Sequence, residues 1–167
     1  MASKIVREWV KGKFPAGFEV LDIGAGTSPA PGTTRAVDSN HNLLTKRGKL
    51  KKKVCIPGSL IEYANYDARS LPYDDSFFDR GISCWAIGAR IKGIKVIREL
   101  YRVLKPGGEI YIAILEEDKE TIPVTRKNLR RAGFKILETY TGKYSESRNG
   151  GQTTVEAMES IIHGIKG

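Results

Sequence analysis

Hydrophobic and polar positions along the chain follow two periods. Short runs rich in β-branched residues recur at 19–23 (EVLDI), 35–38 (RAVD), 61–66 (IEYANY), 79–84 (DRGISC) and 109–115 (EIYIAIL), and predict five strands. Between the fourth and fifth the period becomes helical. Over Lys92–Leu104, Ile94, Ile97, Tyr101 and Leu104 form one stripe that Val96, Leu100 and Val103 widen, so this helix covers a sheet. "KPGG" (105–108) stops it, because Pro106 cannot continue a helix and the glycines supply a turn. A second helix is expected from Pro123 to Ala132 with Gly133 as its C-cap. The segments "FKILETYTGKYS" and "QTTVEAMESII" then read as two more strands, joined through Asn149-Gly150, a strong hairpin signal.

Strands interleaved with helices and closed by a hairpin predict an α/β fold. The expected architecture is Rossmann-like and doubly wound: a mainly parallel seven-stranded sheet, helices on both faces and a C-terminal antiparallel hairpin. A chain of 167 residues without repeats or linkers suits a single domain, 1–167, with an N-terminal segment 1–18 and a core 19–159.

Chemistry concentrates in "VLDIGAGTSPAPGTTRAVD" (20–38). Gly24 and Gly26 after a buried strand let the backbone come close to a ligand, at the strand end where open parallel sheets bind them. A phosphate loop would need GxxxxGK[ST], which is absent, and a dinucleotide fingerprint would need glycine where Pro29 stands. Asp22 would repel a pyrophosphate and suits an amine or cation instead. Asp38 closes the second strand, where a ribose diol is gripped. A ribose-containing ligand with positive charge and no phosphate fits both acids, and S-adenosylmethionine answers that description. Pro29 and Pro31 break helical hydrogen bonding in this short loop, so the usual helix after the glycines is expected to be missing or a single turn.

The motifs resemble those of the class I S-adenosylmethionine-dependent methyltransferases, as a minimal domain of the type 11 kind. "VLDIGAGTS" resembles their first motif, Val37-Asp38 the acid after their second strand, "YDARSLPYDDSFFD" (66–79) their third-strand acid and the run after it, and "RELYRVLKPGGEIYIA" (98–113) their central helix and fifth strand. The resemblance implies S-adenosylmethionine as cofactor, S-adenosylhomocysteine as product and no metal. Gly24, Ala25 and Gly26 would line the methionine and ribose part, Asp22 would lie near the amino group and Asp38 would hold the ribose hydroxyls. Asp67 would accept from the adenine amine, with the Ala68 N–H offered to the ring. Ser83, Cys84 and Trp85 would line the acceptor mouth, Ser83 touching the cofactor too.

Charge adds a candidate acceptor. The chain carries 28 Lys+Arg against 19 Asp+Glu, a net charge of +9. Six basic residues, Lys46, Arg47, Lys49, Lys51, Lys52 and Lys53, fall in one short stretch and could neutralise phosphates, or equally form a solvated loop. Lys95, Arg98 and Arg102 make a basic stripe on the central helix; Arg126, Lys127, Arg130 and Arg131 cluster on the next. Tyr63, Tyr66 and Tyr73 could stack on a base or pack in the sheet. The segment 66–134 is also similar in layout to nucleolar ribosomal-RNA adenine methyltransferases. The leading expectation is therefore an RNA methyltransferase acting on a base nitrogen by in-line transfer. The alternatives are a protein or small-metabolite methyltransferase, and an inactive methyltransferase-like RNA-binding or assembly module.

Two cysteines make no disulfide framework or zinc site, and "MASKIVREWVKGKF" lacks an apolar signal core; both favour the cytoplasm. No apolar run is long enough to span a membrane. Only eighteen residues precede the first strand, short for lid helices, which suits a large acceptor or a homodimer partner that supplies the lid; the short proline loop would leave the cofactor's carboxylate end more open, or covered by the N-terminal segment.

Overall fold

The computed structural model describes residues 4–26, 29–39, 61–87, 93–115, 120–148 and 153–167. Its elements are α1 (Lys4–Trp9), β1 (Val20–Ile23), β2 (Arg35–Val37), β3 (Glu62–Ala64), β4 (Phe78–Cys84), α2 (Ile94–Val103), β5 (Leu104–Leu115), α3 (Thr121–Ala132), β6 (Phe134–Arg148) and β7 (Thr153–Lys166). The strands form one seven-stranded sheet in the order β3-β2-β1-β4-β5-β7-β6. The first five run parallel, and β7 pairs antiparallel with both β5 and β6. The expected architecture is the observed one, and its last strand continues past the expected core to Lys166. The Asn149-Gly150 turn lies outside the described residues.

Strand alternation sorts the core into two layers. Leu21, Ile23, Ile110, Ile112, Ile114 and Ile162 point to one face, where Val96, Ile97, Leu100 and Val103 of α2 and Leu129 of α3 cover them. Ile82, Cys84, Tyr111, Ala113 and Ile161 point to the other, beneath Val6 and Val10. Helices thus lie on both faces. The buried stripe of α2 is Val96, Ile97, Leu100 and Val103, while Ile94 and Tyr101 sit half-buried at its edges. Lys166 Nζ donates to the carbonyls of Tyr101 and Leu104, both at 2.7 Å, and so satisfies the acceptors that the end of α2 leaves open. Gly133 caps α3 at φ +107°, and a Cβ there would meet the Tyr101 ring at 2.9 Å.

The "KPGG" stretch differs from its expected role. Strand β5 already pairs at Phe78↔Leu104, and the next pair is Arg80↔Glu109. Residues 105–108 therefore bulge out opposite Asp79 alone, with Lys105 Nζ 2.7 Å from Asp79 Oδ1. A proline is tolerated in a strand at such a bulge, where the ladder asks nothing of its nitrogen.

The periodicity did not announce α1. Its Trp9 meets Tyr111 edge-on at 5.3 Å and His163 at 5.8 Å. His163 stacks on Tyr111 at 4.6 Å and lies between Glu109 (2.8 Å) and Glu138 (3.1 Å). Farther along, Phe14 lies over Gly32, where a Cβ would stand 2.8 Å from the Phe14 Cβ. The N-terminal segment thus covers the loop after β1, one of the two arrangements expected from that short proline loop. Among the described residues between β1 and β2 no helix forms, as the two prolines require.

Candidate cofactor and methyl-transfer site

The chain order of the sheet reverses between β1 and β4, the place where open parallel sheets take ligands. Because β3, β2, β1 and β4 are neighbours in that order, their C-terminal ends line up Asp67, Asp38, the Gly24–Gly26 loop and Trp85 along one edge.

The glycine loop is built by backbone. Gly24 N–H and Ala25 N–H donate to the Val37 carbonyl at 2.8 and 3.3 Å, and Gly26 N–H donates to Asp38 Oδ2 at 3.0 Å. Gly24 and Gly26 hold φ of +69° and +55°, the left-handed region glycine enters without strain. A Cβ on Gly24 would stand 2.3 Å from the Cβ of Ala86, so the loop is pressed against the turn after β4.

Asp22 is buried on the α1 side of this loop. Its Oδ2 accepts the Ala30 N–H at 2.8 Å, while the buried Oδ1 has no hydrogen-bond partner among the described residues. Burial pushes its carboxyl up to about 7, with the Ala30 N–H pulling the other way. A buried, unsatisfied carboxylate oxygen is costly unless a donor arrives. An ammonium is such a donor, so this oxygen and the glycine cradle fit the aminoacyl end of S-adenosylmethionine.

Asp67 is held differently. The Arg69 N–H donates to its Oδ1 at 2.8 Å and the Arg69 guanidinium grips both oxygens, with Nε 2.9 Å from each. That clamp lowers the Asp67 carboxyl to about 2. An adenine amine would share the carboxylate with Arg69 through remaining lone pairs. Ala68 is buried beside it. The loop that follows is tied to α2: Arg102 donates to the carbonyls of Leu71 and Tyr73 and to the carboxylates of Asp75 and Glu99, and Glu99 accepts the Leu71 N–H.

At the end of β4 the three expected mouth residues separate. Ser83 is fully buried and its Oγ accepts the Ile87 N–H at 3.3 Å, closing the turn. Cys84 is buried in the α1-side core, and burial together with the charge of Asp22 pushes its thiol well up, so it packs there as a neutral thiol rather than a nucleophile. Trp85 is half-buried at φ +60° and donates its indole N–H to Glu159 at 2.7 Å.

The basic expectations divide as well. Lys46, Arg47, Lys49, Lys51, Lys52 and Lys53 lie outside the described residues. Arg102 belongs to the loop clamp and not to a free basic stripe. Lys127, Arg130 and Arg131 are exposed on α3. Tyr66 and Tyr73 pack with Phe77 and Phe78 in one aromatic cluster. Sequence reasoning missed Arg69 and Glu159; the signal for the latter was an acid inside the apolar run "AMESII". Among the described residues no group of three or more His, Cys, Asp or Glu is placed to hold a metal, and no helix is long and apolar enough to cross a membrane.

A methyltransferase-domain family profile matches residues 21–112. The ubiquinone/menaquinone biosynthesis C-methyltransferase UbiE of Francisella philomiragia is 30% identical over 136 residues, covering 72% of this chain and 51% of that protein. The chain thus spans about half the length of the curated relatives it matches. Among solved structures, a SAM-dependent methyltransferase from Aquifex aeolicus superposes with a TM-score of 0.68 at 17% identity, covering 95% of this chain and 88% of that one. One from Methanosarcina mazei gives 0.67 at 18% identity, covering 94% and 96%. The chain belongs to the class I S-adenosylmethionine-dependent methyltransferases.

Proposed function

We propose that this chain transfers a methyl group from S-adenosylmethionine to a small organic acceptor. The observation that carries the cofactor half is Asp22, whose buried Oδ1 lacks a donor among the described residues, next to a loop that only glycine can build. In this reading Asp22 pairs with the amino group, Gly24 and Gly26 let the backbone meet the sugar and the methionine stem, Asp38 takes the ribose hydroxyls, and Asp67 the adenine amine. Trp85 walls the acceptor side. The cofactor, when bound, supplies a sulfonium methyl that an electron-rich atom can attack in line. The protein's part is chiefly orientation: it would hold donor and acceptor collinear, which calls for alignment more than for acid or base groups.

The relatives favour a small-molecule carbon acceptor over RNA, since the curated one is by name a C-methyltransferase of quinone biosynthesis. RNA is a second reading, supported by the net charge of +9 and by exposed Lys127, Arg130 and Arg131 on α3. Labelled methyl groups offered to cell extract, followed by separation into small-molecule, RNA and protein fractions, decide between them, with Asp38→Ala as control. Label in the organic-soluble fraction, lost in the control, supports the first reading. Label in nuclease-sensitive material, reduced when Lys51, Lys52 and Lys53 become alanine, supports the second.

A further inference from the structure

We infer that Glu159 is a positioning residue of the methyl-transfer site and acts through Trp85, an inference that rests on the cofactor reading above. Glu159 comes from β7, in register with Leu115 of β5, and is fully buried. Its Oε1 accepts the Trp85 indole N–H at 2.7 Å. Trp85 holds φ +60°, a region an aromatic residue enters only when its surroundings impose it. Its surroundings supply contacts that impose it. The Trp85 N–H donates to the Ala113 carbonyl at 3.0 Å, the Ile87 N–H donates to Ser83 Oγ at 3.3 Å, and the indole is fixed by Glu159. The next residue, Ala86, is the one pressed on Gly24. A shift of the indole therefore moves the turn that shapes the cofactor loop. Packing alone would be served by an apolar side chain at position 159, because burying a carboxylate is costly unless a donor needs it. Trp85 is one donor that this carboxylate serves, and through that bond the C-terminal hairpin reaches the reaction site.

The test uses the full chain. With Trp9→Phe, Trp85 is the remaining indole of the two tryptophans. S-adenosylhomocysteine is titrated while binding heat and Trp85 emission are followed. The expected result is a saturable emission change with the same midpoint as the heat. Glu159→Leu should abolish the emission change and weaken binding at least tenfold, with an unchanged far-ultraviolet circular dichroism spectrum. Glu159→Gln, which keeps an oxygen for the indole, should recover affinity to within threefold. If Glu159→Leu does not fold, Trp85→Phe in the unsubstituted chain, which deletes the indole N–H, takes its place with binding heat as the readout: a tenfold loss is expected, and unchanged affinity overturns the inference. A folded Glu159→Leu that binds and responds like its parent overturns the inference, as does a Glu159→Gln no better than Glu159→Leu. No heat with the unsubstituted chain instead overturns the cofactor reading itself, and the inference with it.

Discussion

Gly24 and Ala86 stand so close that a Cβ on the glycine would lie 2.3 Å from the alanine methyl. The end of β1 and the turn after β4 therefore meet backbone against side chain, across the point where the sheet order reverses. At φ +69° the position is also strained for any other residue. Gly24→Ala should destabilise the fold by about 2–4 kcal/mol, combining overpacking with left-handed strain. It should also weaken S-adenosylhomocysteine binding more than tenfold. Urea unfolding and calorimetric titration measure the two effects.

Asp22 makes stability depend on pH in a direction opposite to most carboxylates. Burial raises its folded pKa to about 7, whereas an unfolded chain releases that proton near 4. Between those values the native state binds a proton that the unfolded state has lost, so stability falls as pH rises through this window and levels off above it. The full swing is on the order of 4 kcal/mol. Asp22→Asn should remove it and be the more stable protein at pH 8. An ammonium ligand needs the ionised form, so S-adenosylhomocysteine affinity should rise towards pH 7 and then plateau. That rise should vanish, with most of the affinity, in Asp22→Asn. Urea midpoints at pH 5 and pH 8, with titrations at the same values, report both.

Arg102 ties the loop after Asp67 to α2 through two carbonyls and two carboxylates. Arg102→Ala should cost about 1–3 kcal/mol, most of it from carbonyls and the Glu99 carboxylate left without their donor. Amide exchange at positions 71–77 should quicken while that of β5 and β7 does not. Unchanged exchange in the loop would show that the aromatic cluster of Tyr66, Tyr73, Phe77 and Phe78 holds it unaided.

Cys84 should be silent towards thiol reagents in the native protein, because it is buried beneath α1 and its thiol is pushed well up. In a Cys55→Ser background, Val6→Asp should undock α1 and expose it. Val6 is 1% exposed in that same layer, and a buried unpaired charge there is costly. A large rise in the labelling rate, with the circular dichroism of the sheet retained, is the expected outcome. Labelling equally slow in both proteins would mean that the strands bury Cys84 by themselves.

Some of the site was legible because its signals are local. Gly24, Gly26 and the prolines after them state their backbone needs without reference to the rest of the chain, and the turn they predicted is the turn observed. The stripe of α2 and the alternation in β5 gave the layers for the same reason. Arg102, by contrast, read as a basic residue on a helical stripe and proved to be the tether of a distant loop. Its partners Asp75, Leu71 and Tyr73 lie 27 to 31 residues away in sequence. The bulge at "KPGG" was read as a turn because its stop signal is the same; register against β4 decides between them, and register is a property of two strands.

The sequence by itself determined the parallel sheet, the antiparallel closure, the glycine loop and the two acids at the ends of β1 and β2, since hydrophobic period and the conformational limits of glycine and proline act over a few residues. Only the tertiary structure decided that Asp22 is buried with one oxygen unpartnered among the described residues, that Cys84 is buried in the core beneath α1, and that Glu159 reaches Trp85 across 74 positions of sequence. Burial and electrostatic shift arise where β4, β7 and α1 converge, and no single stretch of chain contains the dielectric that this convergence creates.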